Sequence, residues 1–216
     1  DITLEAFVEG TEKVLLNTAE NLTYPAEGLQ TLGLLHLILP PYRRLEIPLK
    51  LLGQLRIEAP DFRNVTTLEA RKGIEILTNS HLKNIWKWSL VNIGKIISDE
   101  GDIVFQGNVF QGDESEVRTA KSLKIKGHIH HLKGEFVEGQ EGLEIEANGP
   151  REIITFEPYC LRTLGLLRLV FKTGGDFLCP LEVKGGIEIE VLPHKTPQDL
   201  FFCADLIAGQ GLRLKV

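Results

Sequence analysis

The segments Leu123-Lys124-Ile125 and Leu143-Glu144-Ile145 repeat one pattern, an apolar, a charged and an apolar residue, 20 positions apart. The same pattern, with small variations, recurs at Leu35-His36-Leu37, Leu55-Arg56-Ile57, Ile74-Glu75-Ile76, Ile103-Val104-Phe105, Leu167-Arg168-Leu169, Ile187-Glu188-Ile189 and Leu212-Arg213-Leu214. From Leu35 onward, the first residues of successive units are separated by 20, 19, 29, 20, 20, 24, 20 and 25 positions. A period of this length is typical of a repeat architecture.

Each unit alternates with period two, which predicts a β-strand that buries its two apolar residues and exposes the middle one. Between the units lie shorter apolar segments bounded by Gly, Pro, Asn and Asp, at Phe62, Phe136, Ile153-Ile154 and Phe177-Leu178. These segments indicate further strands separated by turns. We therefore predict an all-β fold, a single-stranded parallel β-helix or β-solenoid of about ten coils with roughly 20 residues per coil.

The middle residues of the units supply a second argument for stacked coils. If successive coils lie in parallel, residues one period apart become neighbours on the outer surface. The resulting series alternates in sign throughout: Lys124, Glu144, Arg168, Glu188 and Arg213. Arg56 beside Glu75 follows the same rule. Because opposite charges facing each other across strands are favourable and like charges repel, the series predicts a structural ladder of ion pairs.

The spacing also suggests how the chain is divided. Residues 31–216 carry the regular repeat, so we assign them to the β-helix. Residues 1–30 form an N-terminal cap or degenerate first coils. One interval measures 29 residues, and its excess length predicts a lateral insertion near residues 84–97.

Composition excludes several classes of protein. The 216 residues are 43% hydrophobic and 25% charged, which is the balance of a folded, soluble domain. The net charge of −6 provides no basic surface for nucleic acid. No apolar run approaches the roughly 18 residues that a membrane span requires. The chain contains no Met and begins with Asp1, so we expect a processed or excised piece.

Both tryptophans, Trp86 and Trp88, lie in the long interval. The segment around them has apolar residues on both faces. Exposed on a lateral protrusion, their rings would contact a sugar or a protein partner, because Trp is enriched at binding hot spots. The alternative is that the segment folds back over a coil and the rings belong to the core.

Three histidines cluster at His128, His130 and His131. In an extended segment His128 and His130 share one face, which makes them weak candidates for metal ligands. Two ligands are too few for a metal site, and Lys124, Lys126 and Lys133 nearby oppose a cation. The favoured interpretation is a solvated outer face without a metal.

The three cysteines, Cys160, Cys179 and Cys203, cannot all pair with one another and form no C-x-x-C motif. Their separations of 19 and 24 residues are close to the coil period, so we expect a ladder of small buried side chains. Their redox state stays open.

Catalysis finds little support in the sequence. Phosphate-binding loops, Ser-His-Asp spacing and zinc motifs are missing, and we expect neither catalysis nor a cofactor. Glu144 and Glu188 have basic neighbours in the predicted ladder, unlike a general acid and its partner. The remaining acids fall in predicted solvated corners: Asp99, Glu100, Asp102, Asp113, Glu114 and Glu116.

The sequence pattern of residues Gln54 to Asn64, followed by that of Leu68 to Ile76, resembles the repeats of filamentous haemagglutinin-type exoproteins. The resemblance covers roughly residues 30–216. It implies a right-handed parallel β-helix that serves as a stalk or adhesin segment of a large bacterial secreted protein, often one that displays a toxin or binding domain. Implied partners are a cell-surface glycan or protein, or neighbouring domains of the same chain.

Two alternatives stay open at this point. One is a binding module whose lateral loops recognise carbohydrate or protein. The other is a β-helical polysaccharide lyase or hydrolase. Secretion, or display at the cell surface, follows only from the resemblance.

Overall fold

Thirty short β-strands build the described part of the chain, which contains no helix. The computed structural model describes residues 2–3, 8–10, 13–17, 22–23, 29–41, 43–46, 48–78, 88–147, 153–171, 175–177, 180–192, 200–202 and 205–215. The first fifteen strands are β1 (Ile2–Thr3), β2 (Val8–Gly10), β3 (Lys13–Asn17), β4 (Leu22–Thr23), β5 (Leu29–Thr31), β6 (Leu34–Ile38), β7 (Arg43–Leu45), β8 (Leu49–Leu51), β9 (Gln54–Ala59), β10 (Phe62–Asn64), β11 (Thr67–Ala70), β12 (Ile74–Thr78), β13 (Leu90–Asn92), β14 (Lys95–Ser98) and β15 (Ile103–Gln106). The others are β16 (Val109–Gln111), β17 (Glu116–Thr119), β18 (Ser122–Gly127), β19 (Ile129–Leu132), β20 (Phe136–Gly139), β21 (Gly142–Ala147), β22 (Ile153–Phe156), β23 (Leu161–Arg162), β24 (Leu166–Phe171), β25 (Gly175–Phe177), β26 (Leu181–Val183), β27 (Gly186–Val191), β28 (Leu200–Phe202), β29 (Leu206–Ala208) and β30 (Leu212–Lys215).

From β7 to β24, every third strand belongs to the same sheet, so each coil contributes one strand to each of three sheets; β1 and β4, β2 and β5, β25 and β28, and β26 and β29 form separate two-stranded sheets. The first sheet has ten strands, from β3 to β30; the second runs from β7 to β22 and the third from β8 to β23, with six strands each. All of these strands pair in parallel. The predicted all-β parallel solenoid is therefore confirmed. The predicted count of about ten coils matches only the first sheet, and the part bounded by all three continuous sheets is shorter.

Alternating apolar residues of the strands fill the interior. In the first sheet, Ile76, Phe105 and Ile125 are register partners on successive strands, and each is completely buried. Stacking coils removes these side chains from water, which a single coil cannot achieve. The core therefore exists only as a property of neighbouring coils.

Buried amides mark the corner between the second and third sheets. Asn64, Asn92 and Gln111 are register partners at the ends of β10, β13 and β16, and all three are 0% exposed. The side-chain amide of Asn64 donates to Oδ1 of Asn92 at 2.8 Å and to the Thr66 carbonyl at 3.0 Å. Because a buried amide needs partners, the bond from Asn64 to Asn92 ties the corners of two successive coils together.

Glycine is required where two corners approach most closely, between the third and first sheets. A Cβ atom on Gly185 would overlap the carbonyl oxygen of Gly165, one coil away. The amide of the next residue, Gly186, donates to that same carbonyl at 3.0 Å. The absence of a side chain therefore allows the backbones to stack at this corner.

The strand positions refine the predicted division of the chain. Strand β3 pairs in register with β6 as the first strand of the first sheet, so the described part of residues 1–30 contributes to the coils. Strands β13 and β14 lie in the regular second and third sheets. The lateral insertion near residues 84–97 stays a prediction, because residues 79–87 lie outside the described ranges.

Candidate functional site

The predicted charge ladder lies in register on the outer surface of the first sheet. Its members are Cα partners on consecutive strands: Lys124, Glu144, Arg168, Glu188 and Arg213. The guanidinium of Arg168 lies 3.0 Å from Glu144 and 3.3 Å from Glu188, and it also binds Glu190. Hydrogen bonds to Glu190 and Glu144 raise the pKa of Arg168 above its usual value. One side chain therefore joins three consecutive coils.

The two ends of the ladder differ in detail from a simple stack of facing pairs. The Lys126 ammonium, on the preceding strand of the first sheet, lies 3.7 Å from a carboxylate oxygen of Glu144. The register partner of Glu144 is Lys124, two residues earlier on that strand. At the other end, the Lys215 ammonium donates to Glu188 at 2.9 Å, and this hydrogen bond lowers the pKa of the Glu188 carboxyl. Long side chains therefore pair diagonally as well as directly across strands.

The third sheet carries a second charge series, which the sequence analysis missed. Its outward residues are Lys50, Glu69, Arg118, Glu138 and Arg162. Each lies six positions before a charged residue of the same sign on the first sheet: Arg56, Glu75, Lys124, Glu144 and Arg168. Lys50 and Glu69 form an ion pair of 3.0 Å.

These two series place the same sign at two matched outward positions of a coil, one on the third sheet and one on the first, and the opposite sign at the same positions of the next charged coil. Between Glu69 and Arg118, these matched positions are occupied by the apolar residues Ile97 and Val104. Each charge of the third sheet precedes its counterpart on the first sheet by six residues, and this constant spacing is the sequence signal that predicts the second series.

The outward side of the second sheet carries an aromatic cluster at β16 and β19. Phe110 and His131 are register partners whose rings stack at 5.3 Å between centroids. The Trp88 ring lies 5.5 Å from Phe110 and 6.2 Å from His131, so it packs against both. Burial lowers the pKa of His131.

The Trp88 ring is partly buried and packs on the outer side of the second sheet, so it is not a member of the core. Contact of Trp88 with an external partner stays a prediction. Trp86 lies outside the described residues.

The structure separates the two histidines proposed as weak metal candidates. His128 lies at the corner between β18 and β19, so the segment is not extended through both residues. His130 is completely buried, and its Nε2–H donates to the Glu146 carbonyl at 3.0 Å. Placement on a solvated outer face is therefore wrong for His130. Burial lowers its pKa to about 4. Within the described ranges, no group of three or more His, Cys, Asp or Glu residues is placed to hold a metal ion.

Cys160 is buried, and its thiol donates to the Leu132 carbonyl at 3.5 Å. The other two members of the predicted cysteine ladder, Cys179 and Cys203, lie outside the described residues.

One acidic residue differs from its predicted place in a solvated corner. Glu116 lies in β17, is only 4% exposed, and pairs with Lys95 at 3.1 Å. The lysine on the neighbouring coil compensates its buried charge.

A groove of about 370 Å³ opens on the third sheet near β23 and β26. Its outer lining includes Glu138, Tyr159, Arg162, Leu164, Glu182 and Lys184. At this level the third sheet is interrupted, because β23 is its last strand and β26 pairs with β29 in a separate sheet. Tyr159 is 64% exposed and Leu164 is 55% exposed. We call this feature the Tyr159 groove.

The backbone of Tyr159 is unusual. Its φ of 65° lies in the left-handed region, and among the described residues it is the one non-glycine residue with a positive φ. Pro158 precedes it, and the Cys160 amide donates to the Glu157 carbonyl at 3.2 Å. Pro at the second position and positive φ at the third are features of a type II turn, where Gly is the usual third residue. This chain places a large aromatic side chain there instead.

Two other surface grooves, each of about 460 Å³, are lined without aromatic residues. Comparisons with protein-family models, curated proteins and solved structures found no match to the chain. Among the described residues, no helix has the length and apolar character needed to cross a membrane.

Proposed function

We propose that this chain is a non-catalytic stalk segment of a secreted or cell-surface exoprotein of the filamentous haemagglutinin type. The observation that carries the proposal is the uninterrupted first sheet, in which ten parallel strands stack in one direction. At a strand spacing of about 4.8 Å, such a sheet spans roughly 45 Å. The partners of a stalk are neighbouring domains of the same chain, for example a toxin or an adhesive module.

The contacts between coils support a mechanical role. Each coil is held by backbone hydrogen bonds, by the shared core and by ion pairs to the coils on both sides. An array in which every unit contacts only its neighbours extends in one direction, which suits a spacer. The repeat cadence that resembles haemagglutinin-type exoproteins supports the same assignment.

The carboxylates of the first sheet favour a spacer over a hydrolase. Glu144 and Glu188 both form ion pairs with the Arg168 guanidinium. A glycoside hydrolase needs two carboxyl groups that face a substrate, one of them protonated. Ion-paired carboxylates on a continuous outer ladder instead serve cohesion between coils.

The test is a measurement of distance. The chain is fused between two fluorescent proteins, and their separation is measured by energy transfer and small-angle X-ray scattering. Deletion of residues 124–167 removes two coils and is expected to shorten the separation by about 10 Å. A Gly/Ser linker of 216 residues is the control. The spacer role is contradicted if the distance between the fluorescent proteins is unchanged by the deletion, or if its distribution is as broad as that measured with the linker.

A further inference from the structure

We propose that the Tyr159 groove binds a neutral oligosaccharide. This inference goes beyond the spacer role, because it gives the stalk an attachment point of its own on the third sheet.

The first argument is the position of the Tyr159 ring. A left-handed backbone is costly for a residue with a Cβ atom, and strained residues that persist tend to occur at functional sites. The ring is 64% exposed, so it contributes little to the core of the chain. Gly would form the same turn without strain. The exposed Tyr159 side chain is therefore available for a contact outside the fold.

The second argument is the balance of charge around the ring. Glu138 and Glu182 supply two carboxylates, and Arg162 and Lys184 supply two cations. This balance favours neither an anionic nor a cationic ligand. Hydroxyl groups donate to carboxylates and accept from guanidinium and ammonium groups, so a neutral ligand with many hydroxyls satisfies both kinds of side chain.

The Arg162 guanidinium is already oriented for such a contact. It lies 4.8 Å from the centroid of the Phe136 ring, and its backbone pairs in register with Glu138. A cation held over an aromatic ring loses less freedom when it binds a ligand. Glu138 on the adjacent strand then places an acceptor beside this donor.

The third argument is the combination of apolar and polar surface. Tyr159 and Leu164 present exposed apolar groups at one groove. A pyranose ring has one face of C–H groups, which packs on such a surface, and an edge of hydroxyls. The volume of about 370 Å³ falls within the range of small-ligand sites, roughly 300–1,000 Å³. Because the groove opens on the outer surface, it accepts an internal unit of a longer sugar chain.

The test is isothermal titration calorimetry of the 216-residue chain with cellohexaose, xylohexaose, mannohexaose and chitohexaose. We expect saturable binding of at least one of them. Tyr159→Gly is expected to raise its Kd at least tenfold, while the Tm stays equal or increases because Gly relieves the backbone strain. Tyr159→Phe keeps the ring and is expected to bind within twofold of the parent. Trp88→Phe, on a different sheet, serves as the matched control and is expected to leave the Kd unchanged.

Three results overturn the proposal. The first is that none of the four hexasaccharides saturates the chain. The second is equal binding by the parent and Tyr159→Gly. The third is tighter binding of polygalacturonate, or of an unfolded peptide digest, than of every neutral sugar, since this assigns the groove to a charged glycan or to a protein partner.

Discussion

The Arg168 guanidinium lies 3.0 Å from the carboxylate of Glu144 in the preceding coil and 3.3 Å from that of Glu188 in the following one. The planar guanidinium donates in several directions at once, which a lysine ammonium on a flexible stem does less well. Cohesion on this face is therefore concentrated at a single side chain rather than shared equally along the ladder.

Replacement of Arg168 by Met should lower the free energy of unfolding by about 1–3 kcal/mol, because it leaves neighbouring carboxylates facing one another. Lys124→Met is the matched control on the same sheet. Within the described part of the chain, the Lys124 ammonium has no acidic partner within 4 Å. We expect its effect to stay within about 0.5 kcal/mol. Urea denaturation measures the free energy of unfolding of both variants. Equal decreases for Arg168→Met and Lys124→Met would contradict the conclusion that Arg168 dominates the cohesion of this face.

The buried amide corner predicts a second effect. Asn64→Ala removes the donor to Asn92 and leaves a buried amide with one partner fewer. The expected cost is about 1–3 kcal/mol. Arg63→Ala, on the exposed face of the same strand, should change stability by less than about 0.5 kcal/mol. If thermal unfolding gives similar shifts for the two variants, the amide ladder does not hold the corner.

Glycine stacking predicts a contrast between two alanine substitutions. Gly185→Ala should destabilise the chain by more than about 2 kcal/mol, since the added methyl meets the Gly165 backbone, which cannot move aside easily. Gly142→Ala meets its nearest atom at 3.6 Å and should be nearly neutral. The measurement is the urea midpoint of unfolding for each variant. If Gly185→Ala leaves the midpoint unchanged, the backbones at this corner do not approach as closely as described.

Buried His130 predicts a loss of stability in mild acid. Its pKa in the folded chain is about 4, below the ordinary value of 6.5. As the pH falls below 6.5, the unfolded chain binds a proton that the folded chain does not bind until about pH 4. The resulting loss of stability approaches about 1.4 kcal/mol per pH unit in this window.

The check uses His130→Gln, which keeps a donor for the Glu146 carbonyl but does not titrate. Urea unfolding between pH 4.5 and 7 should show a shallower dependence on pH for this variant than for the parent. Identical slopes would mean that His130 takes up its proton in the folded state as easily as in the unfolded one. The lowered pKa of Glu58 and Glu188 contributes at more acidic pH, where their stabilisation is lost as these carboxyls become protonated.

The architecture was readable from the sequence because it depends on local alternation repeated at a fixed period. Leu123 and Ile125 are buried and Lys124 is turned outward for the same reason in every coil. The second charge series was also within reach. It was missed because the third sheet has shorter strands, and every charge of the series after Lys50 is followed by a small or polar residue, as in Thr119 and Gly139, so the apolar alternation is interrupted.

The Tyr159 groove could not be predicted from the sequence. It depends on where the third sheet is interrupted and on a turn conformation that Pro158 suggests but does not determine. The burial of His130 is likewise nonlocal. A corner at His128 changes the direction of the chain, so the alternation of an uninterrupted strand fails at this position.

The sign at the matched outward positions of each coil also constrains how such a chain changes length over evolutionary time. Loss of the coil that contains Glu144 would place Arg118 beside Arg162 and Lys124 beside Arg168, whereas loss of two adjacent coils of opposite sign restores the alternation. Duplication or deletion of an even number of coils is therefore expected to be tolerated better than that of an odd number. The coil with Ile97 and Val104 is the exception, because a single coil inserted beside it meets no like charge at these positions.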